Sequence, residues 1–505
     1  MTSVLYDGPT DHLHASEALR VWRRGTAGAF VRRMTLRSVL ALTLLSATPA
    51  LAQPAPAPTQ AATAAEMDTF EKELDALFSS GGLTSEDAAS RARKVSPAVA
   101  RSFAELEVAI TQTQAAELAR IPQIGASAAY NRLSSIDQPV IAFPTGDPNM
   151  PSMGFSFPVL LNTFTITGRA ALTLSDYLLR YPKAIDAAKL GEQVARERQK
   201  ASEVDAAQEA RLAYYEWVRS QLQVLVARRQ LAQVRSTLGQ VRALAEVQRV
   251  SRADLMRVES QEAQAEQTAI QLQNLAALRE EQLRVLIGAP PGQPLTIGED
   301  IRVDVAAPGA GQLEDLVGLA KKQRLEFRAI QKGIEATEKQ REAERANLFP
   351  KLSAFAQADY ANPNQRIFPQ TGEFNLTWVL GVSVSWNLNE PLFARNADRR
   401  LQAQVKQLEA DRENLERGTR IEVLAAQQSV LVAQAALATS QKGLAAAEEG
   451  YRVRRELLNA QRATAVELVD AETDLTRARI NALNARVDLR VALAELANAI
   501  GNDAK

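Results

Sequence analysis

The chain has 505 residues, of which 46% are hydrophobic, 5% aromatic and 23% charged, and its formal net charge is zero. It has no cysteine, which excludes disulfides, thiolate nucleophiles and zinc–thiolate sites. Its only histidines are His12 and His14, so the commonest general base and metal ligand is nearly absent. The charge balance gives no reason to expect a nucleic acid or another polyanion as a partner. Because cysteine is absent and histidine nearly so, most hydrolases and metalloenzymes are disfavoured, although chemistry by carboxylates alone is not excluded. We predict no enzyme, no catalytic residue, no metal site and no cofactor.

The first 52 residues predict a leader that ends in a secretory signal peptide. A basic region, a short apolar run and a small-residue cleavage site follow one another at 32–37, 39–45 and 50–52. Met34 fits the start of such a signal better than Met1 does. The alternative is a cytoplasmic extension with an anchor helix, but the apolar run is too short for a stable membrane span. Residues 53–83, which begin with a Pro/Ala-rich run, are expected to form a flexible tether.

Two copies of one pattern follow the tether, which predicts an internal duplication. The turn ARIPQIGASAAY at 119–130 is repeated as NLFPKLSAFAQADY at 347–360. The segment VSRADLMRVESQ at 250–261 is repeated as ATAVELVDAETDL at 463–475, and the same offset aligns Gly288 with Gly501 without a gap. We therefore expect a first repeat, a linker rich in proline and glycine, a second repeat and a short tail, at 84–290, 291–312, 313–501 and 502–505.

Each repeat is predicted to begin with a helix, near 84–120 and 313–348, and to end in much longer helices. No proline occurs from Lys183 to Ala289 or after Pro391, and a proline inside a helix costs about 3 kcal/mol. Apolar residues recur there in narrow stripes at three- and four-residue steps, which favours coiled-coil-like neighbours over a globular core. Beyond the leader, no apolar run approaches the roughly 20 residues that a membrane-spanning helix needs, so we expect no such helix.

Between the helices, four runs alternate apolar and polar residues and predict β-strands, near 123–134, 163–176, 350–361 and 375–388. Strands of this kind, apolar on one face and polar on the other, are typical of a transmembrane β-barrel. Four aromatic residues lie near the strand ends, where a membrane-interface girdle is expected, namely Tyr130, Tyr360, Trp378 and Trp386. The alternation alone is equally compatible with a soluble two-sided sheet that caps the helices.

If the strands lie in a membrane, the number of strands predicts an oligomer. Lipid cannot satisfy the open edge of a sheet, so the sheet must close. Closed barrels begin at about eight strands, and an eight-stranded barrel has a filled interior. Three copies of four strands would give twelve strands and an open lumen, so we predict a homotrimer embedded in lipid.

The order and spacing of these motifs resemble the TolC family of outer-membrane efflux proteins, over nearly all of residues 84–501. The resemblance rests on the helix-to-strand turns, the strand-to-helix passages and the helix tips, each present twice. It implies a mainly α fold with a small β part, in which two tandem repeats of long antiparallel helices build an α-barrel. A β-hairpin from each repeat would contribute to a shared twelve-stranded trimeric transmembrane β-barrel.

The resemblance also implies a location and a function. The chain would lie in the outer membrane with most of its mass in the periplasm, and would export small molecules or proteins. It would be the exit duct of a tripartite efflux or type I secretion system, with a periplasmic adaptor and an inner-membrane RND, ABC or MFS pump as partners. The alternative is a periplasmic coiled-coil adaptor or scaffold, although adaptors usually carry one helical hairpin flanked by β-rich domains.

In relatives, acidic side chains near the periplasmic helix tips constrict the closed tunnel. The resemblance places Glu467 and Asp470 at those positions, and Asp254 where relatives have a gate-bonding aspartate. Three copies of Glu467 and Asp470 would put six carboxylates around one axis, where they would repel each other and favour cations. The alternative is an ordinary solvated face of a charged helix.

The turns at the helix tips are predicted to dock the adaptor, through Gln248 and Arg252 in the first repeat and Gln461 and Arg462 in the second. Many relatives carry a glycine where this chain has Gln248 and Gln461. Glycine adopts positive φ without strain, so its replacement leaves the geometry of the turn open.

Overall fold

The computed structural model of the protein describes residues 70, 72–136, 141–143, 153–155, 160–303, 305, 311–460 and 462–502. The predicted leader and signal peptide lie outside them. Most of the described residues are helical, and the strands form a four-stranded sheet and a separate two-stranded one. The prediction of a mainly α fold with a small antiparallel β part is confirmed.

The first half of the chain contains these elements, in order: β1 (Phe78–Leu83), α1 (Ser85–Val95), α2 (Pro97–Leu118), β2 (Gln123–Arg132), β3 (Ile141–Phe143), β4 (Met153–Phe155), β5 (Asn162–Thr173), α3 (Leu174–Leu179), α4 (Tyr181–Glu246) and α5 (Arg252–Ile287). The second half contains α6 (Leu313–Gln323), α7 (Leu325–Arg345), β6 (Lys351–Asn362), β7 (Asn375–Ser385), α8 (Glu390–Asn459) and α9 (Ala465–Ala499). The four long strands start within one residue of their predicted positions, and their ends differ by up to three residues.

The duplication is visible in the backbone. Each repeat opens with a helix that is broken once, before Pro97 in the first repeat and at Arg324 in the second. A proline has no N–H and cannot continue a helix, which explains the first break. Arg324 instead adopts an extended conformation, with φ −65° and ψ 132°. The single opening helices predicted near 84–120 and 313–348 are therefore two helices each.

The end of each repeat packs against its own helix break through a glycine with positive φ. Gly288 has φ +63°, and a Cβ atom there would lie 2.6 Å from Cγ1 of Val95. Gly501 has φ +78°, and a Cβ atom there would lie 3.0 Å from the backbone nitrogen of Arg324. The two glycines occupy equivalent positions in the aligned repeats, so the same close approach occurs in both.

The four-stranded sheet is antiparallel throughout, in the order β2-β5-β6-β7, so the hairpins of the two repeats lie side by side. One face is apolar, and none of the described residues covers it. Along β7 each apolar side chain of that face is at least 66% exposed, at Leu376, Trp378, Leu380, Val382 and Val384. The opposite face carries polar pairs, such as the Thr167 hydroxyl that donates to Asp359 at 2.7 Å.

The flexible tether predicted over 53–83 is wrong for its last part. Residues 72–77 are helical, and β1 follows directly. Leu74 and Leu83 are buried in a core cluster around Trp217 of α4. Backbone hydrogen bonds of 2.8 Å join Leu83 to the predicted linker, at Thr296 and Gly298. The Pro/Ala-rich start of the segment gave no sign that its end carries apolar side chains that pack on the helices.

One described helix, α8, contains a stretch that is long and apolar enough to cross a membrane by length and composition alone. The sequence prediction did not anticipate this stretch. Parts of α8 pack against α6 and α9, with Val423 and Val430 buried in the shared cluster. A helix that packs lengthwise in a bundle passes the same test, so the stretch is weak evidence for a membrane span.

Candidate functional site

The predicted site residues fall into two groups, charged or polar residues at the helix tips and aromatic residues on the sheet. We use "helix tips" for the turns at 247–251 and 460–464, which join α4 to α5 and α8 to α9. Gln461 lies outside the described residues. Arg252 and Arg462 are exposed to solvent.

The first tip is closed by backbone hydrogen bonds and a side-chain cap. The N–H of Arg249 donates to the carbonyl of Leu244 at 2.9 Å, which is the long-range bond of a Schellman motif. Gln248 occupies the left-handed position of this motif, with φ +57°. The geometry that glycine favours is thus retained with a glutamine, at a strain on the order of 1 kcal/mol.

The second tip repeats this arrangement where it is described. The N–H of Arg462 donates to the carbonyl of Leu457 at 2.8 Å, across the same number of residues. Thr464 caps α9 by accepting from the N–H of Glu467 at 3.2 Å, as Ser251 caps α5 by accepting from the N–H of Asp254 at 3.1 Å. Asp254 and Glu467 are therefore equivalent residues in the first turn of their helices, where the helix dipole favours a negative charge.

Each predicted gate residue of the second repeat lies beside an arginine. Glu467 Oε2 lies 2.6 Å from Nη1 of Arg454 on α8, and Asp470 Oδ1 lies 3.9 Å from Nη2 of Arg257 on α5. All four side chains remain about half exposed, so each pair contributes up to about 1 kcal/mol. Asp254 makes no such pair with a described residue; its carboxylate accepts from the Ser251 hydroxyl at 2.7 Å.

Sequence reasoning missed both arginines, although the duplication contains a signal for one of them. In the register that aligns Gly288 with Gly501, Arg257 aligns with Asp470, so the two occupy the same position in the two repeats. They carry opposite charges and face each other across the bundle. Arg454 has no such signal, because its contact with Glu467 depends on how α8 packs on α9.

Three cavities adjoin the helix tips. One, of about 630 Å³, lies at the first tip and is lined by Arg242, Ala245, Glu246, Gln248, Val250, Arg252 and Leu255. The two others are smaller. One, of about 370 Å³, lies between α8 and α9 and is lined by Ala446, Ala447, Gly450, Tyr451, Arg454, Glu467, Asp470, Ala471 and Asp474. The other, of about 340 Å³, lies between the two tips and is lined by Leu244, Arg249, Val250, Ser251, Asp254, Leu458, Ala463, Thr464 and Ala465. Nearby on α8, hydrogen bonds to Glu449 raise the pKa of the Arg452 guanidinium above its ordinary value. All three cavities combine small or apolar walls with a few charges.

The predicted aromatic residues all lie on the apolar side of the sheet and are exposed. Tyr130 packs on Phe164 with ring centroids 4.7 Å apart, and Tyr360 stacks on Phe374 at 5.1 Å. These rings lie at the end of the sheet that is remote from the helices. Leu376 of β7 lies opposite Tyr360 in the strand register. Trp378 lies two residues further along β7, towards the middle of the sheet. Trp386 follows β7 at the end next to α8. Sequence reasoning missed Phe164 and Phe374.

Among the residues that the structure describes, no three His, Cys, Asp or Glu side chains lie close enough together to hold a metal ion. The predicted site residues provide charges and hydrogen bonds at the helix tips and an exposed apolar surface on the sheet.

Comparisons with known proteins agree with this architecture. Residues 316–502 match the family model described as outer membrane efflux protein. Among solved structures, CusC, whose structures describe folding and transmembrane channel formation, is 15% identical with a TM-score of 0.68, and the match covers 84% of this chain and 93% of CusC. The MtrE outer membrane channel of Neisseria gonorrhoeae is 16% identical with a TM-score of 0.67, covering 83% and 88%.

The outer membrane protein VceC of Vibrio cholerae is 16% identical with a TM-score of 0.65, and the match covers 82% of this chain and 95% of VceC. No curated protein sequence matches the chain. The family is one of channels and not of enzymes. The chain therefore has the fold of TolC-like outer-membrane channels, and its second repeat matches the family model of outer membrane efflux proteins.

Proposed function

We propose that this outer-membrane channel protein works as a homotrimer, in which three four-stranded sheets close into one twelve-stranded barrel. The observation that carries the proposal is the sheet itself. No described residue covers its apolar face, and among the described strands its outer members β2 and β7 each have a neighbour on one side only. In lipid the apolar face would be favourable, but the two open edges would not. Pairing β7 of one copy with β2 of the next removes every edge.

The proposed role is that of an exit duct in a tripartite efflux or type I secretion system. The long helices would continue the barrel as a tunnel in the periplasm and end in the helix tips. There Arg252 and Arg462, with Gln248 and Gln461, would contact a periplasmic adaptor, and an RND, ABC or MFS pump would supply small molecules or proteins. The exposed charges and cavities at the tips support a docking role.

At the tips we expect a gate that is held by ion pairs. The pairs of Glu467 with Arg454 and of Asp470 with Arg257 would fasten α9 to its neighbours and partly neutralise the acidic ring. The closed gate would therefore depend on these two ion pairs, each of which we call a latch, as well as on a ring of negative charge. Opening would require breaking exposed pairs of up to about 1 kcal/mol each, three times over.

Two measurements test this function. The first is the mass of the detergent-solubilised protein, together with heat-modifiable migration of the membrane fraction. A trimer in the outer-membrane fraction is expected, whereas a soluble periplasmic protein would favour the adaptor alternative. The second is the conductance of the reconstituted trimer in planar bilayers.

The double variant Glu467→Ala/Asp470→Ala should raise the resting conductance, because both latches and the constricting side chains are lost. Arg454→Glu should raise it too, and the charge swap Arg454→Glu/Glu467→Arg should return it towards the original value. An unchanged conductance in the alanine double variant would rule out a role for these residues in the gate. If the swap failed to restore the resting value, the latch would be rejected.

A further inference from the structure

The connection between β6 and β7, residues 363–374, is attached to one particular face of the sheet. Asn364 is only 3% exposed. Its side-chain amide donates to the carbonyl of Asn375 at 2.9 Å and to the hydroxyl of Thr377 at 3.2 Å. A buried asparagine with two such bonds holds the start of the loop in a defined place, because leaving either bond unmade would cost free energy.

The hydroxyl of Thr377 identifies that face. Thr377 alternates with Leu376 and Trp378, whose side chains lie on the exposed apolar face, so its own side chain lies on the opposite, polar face. In the strand register it lies opposite Asp359, which accepts from the Thr167 hydroxyl on the same polar face. The loop therefore bends over the polar face, at the end of the sheet that is remote from the helices.

The same loop fixes a cation. The N–H of Arg366 donates to the side-chain carbonyl of Asn364 at 3.0 Å, and Nη1 of Arg366 donates to the carbonyl of Trp378 at 2.8 Å. Arg366 is exposed to solvent. Within the described part of the chain, no carboxylate lies within ion-pair distance of its guanidinium. The charge of Arg366 is thus placed by hydrogen bonds to neutral groups and is not cancelled by a carboxylate of the described residues.

We infer that three copies of this loop fold over the outer opening of the barrel and that Arg366 forms a cationic ring there. The inference rests on the proposed trimer, in which the polar face lines the channel. A ring of fixed positive charges raises the local concentration of anions and opposes cations. The outer opening would then favour anionic solutes, whereas the acidic gate at the other end favours cations.

The test is the anion-to-cation permeability ratio of the reconstituted trimer, measured from the reversal potential in a KCl gradient. Arg366→Glu should lower the chloride-to-potassium ratio by about twofold or more at low salt, and by less as the ionic strength rises. Arg366→Lys keeps the charge and should leave the ratio nearly unchanged. Arg132→Glu is the matched control, because Arg132 lies at the same end of the sheet but at an apolar-face position, paired with Asn162.

The absence of native cysteine permits a second readout. In Arg366→Cys, a negatively charged methanethiosulfonate reagent added on the outer side should shift the ratio towards cations, and a positively charged one should restore it. If Arg366→Glu leaves the ratio unchanged in channels of normal conductance, the ring is rejected while the channel function stands. An equal effect of Arg132→Glu would also reject it, because the position on the polar face would not matter. A chain that forms no conducting trimer overturns both proposals.

Discussion

The first and second repeats place their helices at matching positions, but the side chains at those positions differ. The helices α5 and α9 start at equivalent positions of the aligned repeats, behind a serine cap in one case and a threonine cap in the other. At the next turn, however, Arg257 corresponds to Asp470, and the two are in contact. A duplicated backbone whose copies face each other brings equivalent positions together, so opposite charges are favoured there and identical ones are not.

A second difference lies where the linker crosses the helices. Arg490 of α9 is nearly buried and binds Glu299 through an ion pair. It also donates to the carbonyls of Asp300 at 3.0 Å and Val303 at 2.9 Å. The equivalent residue of the first repeat is Ala277, which can make none of these bonds. At this position the second repeat therefore holds the linker through polar contacts that the first repeat lacks.

The largest expected loss of stability comes from replacing Arg490 and so removing its contacts with the linker. Arg490→Met should lower the free energy of unfolding by about 3 kcal/mol, because Glu299 and two carbonyls lose a partner in a low-dielectric region. Chemical unfolding in detergent, followed by circular dichroism, measures the loss. Arg477→Met on the same helix is the control, because its ion pair with Asp474 is largely exposed and should contribute little. Equal losses in the two variants would mean that the linker contact does not stabilise the fold.

The next effect concerns the glycines that end the two repeats. Gly288→Ala and Gly501→Ala should each cost about 2 kcal/mol, from positive φ together with a steric contact. Gly292→Ala isolates the backbone part, because Gly292 has φ +80° and open space around it. Unfolding measurements should show a smaller loss for Gly292→Ala than for the other two.

The two repeats should differ in whether a second substitution restores the stability that is lost in the glycine variants. The clash at Gly288 is with the side chain of Val95, so Val95→Ala should recover part of the stability lost in Gly288→Ala. The clash at Gly501 is with the backbone nitrogen of Arg324, together with Cγ of Arg324 and Cβ of Gln323. Truncating Arg324 to alanine should therefore recover little in Gly501→Ala. If it recovered as much as Val95→Ala does, the backbone contact at Gly501 would not be the source of strain.

These contrasts also mark what the sequence could predict. The strands were placed to within a few residues, because alternation reports directly which face a side chain occupies. The long helices followed from the absence of proline over Lys183 to Ala289. Local pattern says nothing of contacts between distant segments, however. For that reason the packed end of the tether around Leu74, the pairing of Arg454 with Glu467, and the break at Arg324 were not predicted.

The smallest effect tests the helix tip, where the sequence left the geometry open and the structure shows a left-handed glutamine. Gln248→Gly should raise the free energy of unfolding by about 1 kcal/mol, because glycine adopts this φ without steric cost. The greater conformational freedom of glycine in the unfolded state offsets part of this gain. Gln248→Ala keeps the strain and should bring no such gain, and Gln240→Gly, in the interior of α4, should cost about 1 kcal/mol. The unfolding midpoint of the three variants separates these effects. If Gln248→Gly proved as destabilising as Gln240→Gly, Gln248 would not adopt the left-handed conformation in solution, and the equivalence of the two tips would fail with it.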